Sequence, residues 1–399
     1  MEPPAAHPRF PLVGPAESGR DLAGERALGQ GGVTRARLPD GTPVWVAVGY
    51  RLSRQVMTHP AFSRRAAAEA DAPRSAEGLA LPAMLSSLDG TEHARTRRLV
   101  MGALPPRRAD GMRPWITGVV GELLDAAAAL PQPVDLVPAL TAPLPARVMC
   151  RLFGVPYEDQ ERFGVWSEML DSTENPEEVR EAFGHFQTYM IELIGHKRAR
   201  PGPDFTSDLV LLADTSGELD TVEIANNLLM VLGAGIDTTV QQLANSIITL
   251  LAERDQYERL CRRPELVDNA VEELLRYLIL IPTGTMMRVA TRDTELGGWT
   301  VRAGEGVVAL QHVANRDPDV FPEPGRLDLA RPEAVRHLAF GTGRHVCAGA
   351  QLARVELRAA LGELVRRFPA ARLAIPVEEL RWRTGSLMRG PVALPVFLH

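Results

Sequence analysis

The chain has 399 residues, of which 45% are hydrophobic and 24% are charged, and its formal net charge at pH 7 is −6. This balance is typical of a globular protein whose core can bury a bulky group, and the negative charge argues against a nucleic-acid partner. The segment Met1–Val13 has no apolar run long enough for a signal peptide or membrane anchor, and no later segment reaches about 18 uninterrupted apolar residues. We therefore expect a cytoplasmic protein without a membrane partner.

In chain order, a short strand is predicted at Pro43–Val48, followed from Thr91 to about Arg262 by a mainly helical pattern. Start signals for helices are Asn175 before a proline, and Asp220 or Thr221 before a glutamate. The longest pattern is apolar on most sides and predicts a helix through the middle of the protein. The predicted helices of this part are Glu92–Ala103, Met112–Leu130, Leu140–Phe153, Glu177–Arg200 and Thr221–Glu253.

After a further predicted helix, Pro264–Leu280, the pattern changes to short strands, a proline-rich meander (Asp317–Arg331), a last helix at Ala348–Phe368 and a strand-like tail. We interpret the chain as one domain, residues 1–399. It is helix-rich over about 91–280 and 348–368, and β-rich over about 40–50, 286–312 and 372–399. The predicted short strands are Met286–Thr291, Thr294–Leu296, Thr300–Val301 and Val307–His312.

Three cysteines, Cys150, Cys261 and Cys347, are far apart and odd in number, which argues against a disulfide framework or a cysteine-rich zinc site. Around Cys347 the chain reads Phe-Gly-Thr-Gly-Arg-His-Val-Cys-Ala-Gly-Ala-Gln-Leu-Ala-Arg, and the predicted helix begins directly afterwards. A thiol at a helix N-terminus faces unpaired N–H groups, which favour the thiolate. Taken alone, Cys347 is more simply a structural cysteine at a glycine-rich helix start, as we expect for the other two.

This loop resembles the heme-binding signature of the cytochrome P-450 superfamily, Phe-Gly-x-Gly-x-His-x-Cys-x-Gly-x-x-Leu-Ala-Arg, with every fixed position filled. The resemblance implies a mainly α fold with small β-sheets, arranged as a triangular helical prism around a buried heme b. Cys347 would then be the axial iron ligand, and Gly349 would let the backbone approach the macrocycle.

The long helix contains Gly-Ala-Gly-Ile-Asp-Thr-Thr, and glycine and threonine are poor residues for the middle of a helix. The structural interpretation is a helix kink; the functional interpretation is a local opening that makes room for dioxygen. By resemblance, Asp237 would relay protons and Thr238 would hold the dioxygen or its protonating water. With these two, Met230, Gly233 and Ala234 share a helix face, which we expect to look onto the heme.

A buried heme needs cations for its two propionates. By resemblance His93, Arg97, Arg288 and His345 would supply them, although each alone is more simply a solvated surface charge. Glu273 and Arg276 lie three apart on one helix, and the resemblance makes them a buried structural pair completed by Arg326. Leu327 stands after Arg326 where phenylalanine is usual, which puts that last role in doubt.

The family resemblance implies a monooxygenase that inserts one atom of O2 into a substrate. Ferredoxin and its reductase would supply electrons, since no flavin or iron–sulfur domain is evident, and arginines near the proximal elements would form a basic dock: Arg107, Arg108, Arg344 and Arg354. We expect an apolar, medium-sized substrate, and the high-GC-like composition indicates bacterial secondary metabolism. The pocket residues implied by the resemblance are Met230, Gly233, Gly284, Met286 and Leu387, within the candidate segments Arg64–Ser87, Phe163–Asp171, Phe183–Met190, Met230–Ala234, Gly284–Met287 and Leu387–Met388.

Three alternatives stay open. The same fold could catalyse oxidative coupling or peroxygenation. A heme sensor without turnover would not need the Asp237–Thr238 pair. A helical scaffold protein with an accidental cysteine loop is the least economical explanation.

Overall fold

A computed structural model describes residues 32–38, 40–69, 71–73, 84–284 and 286–399. The expectation for Met1–Val13 lies outside the described residues. So do residues 70 and 74–83 of the candidate pocket segment Arg64–Ser87, and position 285 of the segment Gly284–Met287.

Helices account for most of the described chain. Within it the α-helices are, in order, α1 Tyr50–Thr58, α2 Gly90–Ala103, α3 Pro106–Ala128, α4 Pro143–Phe153, α5 Gln160–Leu170, α6 Pro176–Ala199, α7 Phe205–Ser216, α8 Thr221–Ala252, α9 Arg254–Arg262, α10 Val267–Tyr277, α11 Gln311–Ala314 and α12 Ala350–Arg367. The strands are β1 Val33–Arg37, β2 Pro43–Ala47, β3 Phe62–Ser63, β4 Val134–Asp135, β5 Arg288–Ala290, β6 Thr294–Leu296, β7 Trp299–Val301, β8 Gly306–Ala309, β9 Arg372–Leu373 and β10 Pro395–Phe397. The predicted class, mainly α with small β-sheets, is confirmed.

Side-chain caps explain where several helices begin. The Asn175 side chain accepts hydrogen bonds from the first N–H groups of α6. Asp220 and Glu223 form a reciprocal capping box at the start of α8. At the other end, Gly154 and Gly217 adopt left-handed conformations that stop α4 and α7.

The strands form three small sheets. The largest has the order β1-β2-β8-β5-β3, in which β2 pairs in parallel with β8 and the other pairs are antiparallel. A second sheet has the order β4-β10-β9, and β6 with β7 forms a separate hairpin. β5 is an inner strand of the largest sheet, paired with β8 and β3, and Arg288 at its start is buried.

The main hydrophobic core surrounds α8, as the sequence predicts for its longest helix. Helices α4, α5, α6, α9 and α12 all pack against it, and most of its residues are buried on every side. None of the helices within the described ranges combines the length and apolar character that crossing a bilayer requires.

Three predicted helices have a boundary that differs from the structure by more than two residues. The helix predicted from Met112 begins six residues earlier, at Pro106, whose fixed φ suits a first helical turn. The helix predicted at Leu140–Phe153 is a π-helical turn, Val137–Thr141, followed by α4. The helix predicted at Pro264–Leu280 is a 3₁₀ turn followed by α10, which ends at Tyr277.

Candidate active site

The cysteine loop is shaped by backbone conformations that favour glycine. Gly341 and Gly343 have φ values of +71° and +74°, in the left-handed region that side chains with a Cβ rarely adopt. A Cβ on Gly343 would also lie 2.9 Å from Cγ2 of Thr58 at the end of α1. The N–H of Cys347 donates to the carbonyl of Phe340 at 2.9 Å, which closes the loop.

Cys347 is exposed and lies three residues before α12 begins. The surrounding protein nevertheless removes much of the water from its thiol. This desolvation raises the pKa of the Cys347 thiol. The N–H groups of Gly349 and Ala350 and the charges of Arg97 and Arg354 act in the opposite direction. A directly bound cation would stabilise the anionic sulfur further.

Cationic side chains converge beside this loop. The rings of His93, on α2, and His345, in the loop, are 4.2 Å apart. Nη2 of Arg97, one turn along α2, donates to the carbonyl of Val346 at 2.8 Å. The Asp89 carboxylate lies 3.3 Å from Nε2 of His345. Two predicted sites far apart in sequence, on α2 and in the loop, are therefore brought together.

This cluster contains buried nitrogens without partners. Nε2 of His93 and Nε of Arg288 have no hydrogen-bond partner among the described residues. Burial, and then the neighbouring positive charges, lower the pKa of His93 to about 4; burial lowers the pKa of Arg288 to about 10. Burial also lowers the pKa of His345. Desolvated basic side chains with unused N–H donors fit an anionic group, as the two carboxylates of heme require, and such a group would favour the charged forms of the histidines.

Helix α8 continues without a break through the segment Gly233–Thr239. Oγ1 of Thr238 donates to the carbonyl of Ala234 at 2.6 Å. The predicted local opening of the helix is therefore wrong for this structure, because the hydroxyl bonds back to the carbonyl one turn earlier and the helix stays intact. Ala234 is exposed and Met230, Gly233 and Thr238 are half-buried, whereas Leu232, Ile236 and Asp237 are buried, so one face of this part of α8 is accessible.

Asp237 turns towards polar partners that the sequence analysis missed. Nη1 of Arg383 lies 2.8 Å from Oδ1 and 2.9 Å from Oδ2 of Asp237. Nε2 of Gln241, one turn along α8, donates to Oδ1 at 2.9 Å. Gln241 could have been found from its helical spacing, whereas Arg383 is 146 residues away.

The predicted pocket residues do not all line the same space. A Cβ on Gly233 would lie 3.1 Å from Cδ1 of Leu170, so α5 covers this part of α8. Sδ of the half-buried Met286 lies 3.4 Å from Nη2 of Arg64. Leu387 is buried, with 3% of its surface exposed. Gly284 is also buried, and a Cβ there would meet the Ala309 carbonyl at 2.4 Å. Gly284 therefore packs on β8, and its place in the pocket stays a prediction.

The predicted scaffold pair is present, but its third member is not the predicted one. Glu273 and Arg276 form a fully buried ion pair with a shortest N–O distance of 2.6 Å. Arg331, not Arg326, completes it, with Nε 3.1 Å from Oε1 of Glu273. The Arg326 side chain is exposed and pairs with Glu323. The prediction for Arg326 is wrong, because the meander turns its side chain outwards and only its carbonyl inwards.

The predicted basic dock is only partly free. Arg354 pairs with the buried Glu272 at 2.8 Å and lies over the ring of Phe340. Arg108 forms an ion pair with Asp208. Arg107 and Arg344 are exposed.

Comparisons with known proteins agree with this architecture. The sequence profile of the cytochrome P450 family matches residues 261–374. The chain is 43% identical over 365 residues to nocardicin C N-oxygenase of Nocardia uniformis subsp. tsuyamanensis, covering 91% of each chain. It is 40% identical over 366 residues to mycinamicin IV hydroxylase/epoxidase of Micromonospora griseorubida, covering 91% of this chain and 92% of that one.

Among solved structures, the crystal structure of HinD with NMFT and NO has a TM-score of 0.92 and 40% sequence identity, covering 98% of this chain and 100% of that one. Such identity over nearly the whole length carries the fold, the heme b cofactor, and the dependence on O2, an organic substrate and a redox partner. The chain belongs to the cytochrome P450 family and is a heme-dependent monooxygenase.

Proposed function

We propose that this monooxygenase, a single domain over residues 1–399, modifies an apolar, medium-sized product of bacterial secondary metabolism. Cys347 would hold the iron of heme b, and when bound, heme b supplies the chemistry that cleaves O2 and transfers one oxygen atom. The observation that carries the assignment is the group of buried basic side chains with unused donors beside the cysteine loop. His93, Arg97, Arg288 and His345 would hold the propionates, and Gly349 and Ala234 would leave room for the macrocycle.

On the distal side, the chain's own residues deliver protons and exclude water. Asp237 lies on the α8 turn that carries Thr238, and its carboxylate is held by two donors. It passes protons towards the Thr238 hydroxyl, which orients the oxygen or a protonating water. Substrate contacts come from Met230, Gly233 and Met286 with Leu170, whose apolar and thioether groups suit an irregular apolar molecule.

The electron donor is a ferredoxin, reduced by its reductase, that docks against the proximal surface near Arg107 and Arg344. Both arginines are exposed, and a basic surface attracts an acidic partner. All of this takes place in the cytoplasm.

The difference spectrum of the reduced, carbon-monoxide-bound protein tests the ligand assignment. We expect a Soret band at the thiolate position in the wild type and its loss in Cys347→Ser. Cys261→Ser, the matched control, should keep the band. A wild-type spectrum that indicates imidazole coordination would overturn the assignment.

Two further measurements test the distal site and the substrate class. Thr238→Ala should keep the thiolate spectrum but release more hydrogen peroxide per NADPH; unchanged peroxide release removes Thr238 from its role. Spectral titrations should show a shift of the heme band with vitamin D3 or mycinamicin IV. A shift with nocardicin C alone would contradict the apolar substrate class.

A further inference from the structure

A second carboxyl group lies against that of Asp237 on α8. Asp171 follows the last residue of α5, and its side chain is hydrogen-bonded to that of Asp237 on α8. The backbone on both sides of this contact is fixed: the N–H of Leu387 donates to the Asp171 carbonyl at 2.9 Å, and that of Thr173 donates to Gly385 at 2.8 Å. The two carboxyl groups are therefore held together by the fold.

Such a pair requires a proton. An ionised carboxylate only accepts hydrogen bonds, so two carboxyl groups can bond to each other only if one is protonated. Both carboxylate oxygens of Asp237 accept hydrogen bonds from Arg383, and Oδ1 also accepts one from Gln241, so Asp237 is the acceptor of the pair. Asp171 is the protonated member: burial, and then the charge of Asp237, raise the pKa of Asp171 well above its usual range.

The pair also leads towards solvent. The charged groups that act on Asp171 are Asp237, Arg383 and Glu168. Nη2 of Arg383 lies 3.2 Å from Oε1 of Glu168, whose side chain is 69% exposed. The cluster therefore extends from the surface, at the end of α5, to the buried Asp237.

We propose that Asp171 is the proton-holding partner of Asp237, a positioning residue that supplies the relay to Thr238. In one turn of the relay the O–H bond of Asp171 breaks as one forms on Asp237, and the new O–H bond of Asp237 then breaks as its proton moves towards Thr238. Asp171 then takes a proton from solvent water beside Glu168. This inference rests on the role proposed above for Asp237 and Thr238, and adds the source of their protons.

Infrared spectroscopy tests the proton directly in the heme-loaded protein. The difference spectrum of wild type minus Asp171→Asn should contain the carbonyl stretch of a protonated carboxylic acid, shifted in D2O. A difference spectrum is needed because the pKa of the buried Glu356 is also raised well above its usual range. Glu174→Gln removes an acid from the same loop, near Gly385, and should keep the band. Absence of the band from the wild-type-minus-Asp171→Asn spectrum overturns the proposal.

NADPH oxidation tests the relay, driven by a plant-type ferredoxin and its reductase without added substrate. Asp171→Asn should lower the rate by about tenfold or more and enlarge the solvent isotope effect, since general acid–base groups contribute on that scale. The wild-type rate should fall as pH rises through the pKa of Asp171, and Asp171→Asn should lack this decline. Asp171→Glu should recover part of the rate.

Asp237→Asn separates the two proposals. If Asp237→Asn leaves the rate of NADPH oxidation and its solvent isotope effect at wild-type values, the role proposed for Asp237 fails. If Asp237→Asn slows turnover but Asp171→Asn does not, only the present inference fails. If Asp171→Asn is slower but has an unchanged solvent isotope effect and pH profile, Asp171 has only a structural role, and the inference is also overturned.

Discussion

Two ionic clusters in this molecule differ in whether their charges are satisfied. In the scaffold cluster on α10 and the meander, Glu273 bonds Arg276 and Arg331, and the side chains are essentially buried. In the cationic cluster beside the cysteine loop, His93 and Arg288 are also buried, yet each has a nitrogen without a partner among the described residues. Burial alone therefore does not separate structural charges from ligand-binding ones. Unused donors do.

The difference also explains why the scaffold cluster resembles an exposed ion pair when only the sequence is considered. An i, i+3 pair such as Glu273 and Arg276 contributes little when exposed. Removing one member of a buried pair is costly, because the other charge is left without compensation. The scaffold cluster stabilises the fold by itself, whereas the cationic cluster has all its donors paired only when an anion binds to it.

The largest effect is expected where the satisfied cluster is broken. Glu273→Gln leaves Arg276 and Arg331 buried without an anion, and should lower the free energy of unfolding by about 3–5 kcal/mol. Chemical denaturation of the heme-loaded protein measures it. A loss similar to that of an exposed pair would contradict the contrast between the clusters. Glu323→Gln, at the exposed pair with Arg326, is the matched control.

A second buried carboxylate predicts how stability depends on pH. Burial alone would raise the pKa of Glu272, but hydrogen bonds from His337 and Arg354 outweigh it and lower the pKa to about 2. As pH falls, the unfolded chain binds a proton at Glu272 before the folded protein does. The stabilisation by Glu272 is therefore complete above about pH 4.5 and is lost as pH falls towards 2. The loss should be about 3 kcal/mol.

Denaturation midpoints between pH 5 and 2 measure this contribution, the pH range being set by the two pKa values of Glu272. Glu272→Gln should be less stable near neutrality and should show a flatter decline with acid. An equally steep decline in the variant would assign the acid sensitivity to other carboxylates.

A smaller effect is expected in the cationic cluster, and on a different quantity. His93→Phe removes a donor that has no partner among the described residues, and keeps a ring against His345. The apoprotein should unfold at an unchanged temperature, while heme affinity should fall by about tenfold, or about 1.4 kcal/mol. Heme transfer to apomyoglobin, together with thermal denaturation of the apoprotein, measures both. Equal losses in both would make His93 structural.

The smallest effect is expected at the residue that the sequence indicated wrongly. Arg326→Ala removes an exposed ion pair and should change the free energy of unfolding by less than about 1 kcal/mol. Arg331→Ala, in the same meander, should approach the effect of Glu273→Gln. If the two arginine variants were equally unstable, the structural assignment of Arg331 would be wrong.

Features encoded locally could be predicted from the sequence. The glycines and cysteine of the loop, the cap at Asn175 and the capping box at Asp220 depend on residues within a few positions of one another. The family resemblance then supplied cationic candidates, of which His93 and His345 meet in the structure. The short α1 was missed, since Gly49 before it provides no side-chain cap and its apolar positions are few.

Features that depend on tertiary contacts could not be predicted. Nothing in the spacing of the meander tells whether Arg326 or Arg331 points inwards. The partners Asp171 and Arg383 come from α5 and from the C-terminal segment, and only the packing of both on α8 brings them to Asp237.

The contact between Arg383 and Asp237 has a consequence for biosynthesis. The ribosome completes the whole of α8 long before it reaches position 383, which lies 146 residues after the acid. Until then Asp237 lacks its partner Arg383, which disfavours burial of the Asp237 carboxylate. The surroundings of Asp237 can therefore take their final arrangement only after the segment around Arg383 has left the exit tunnel.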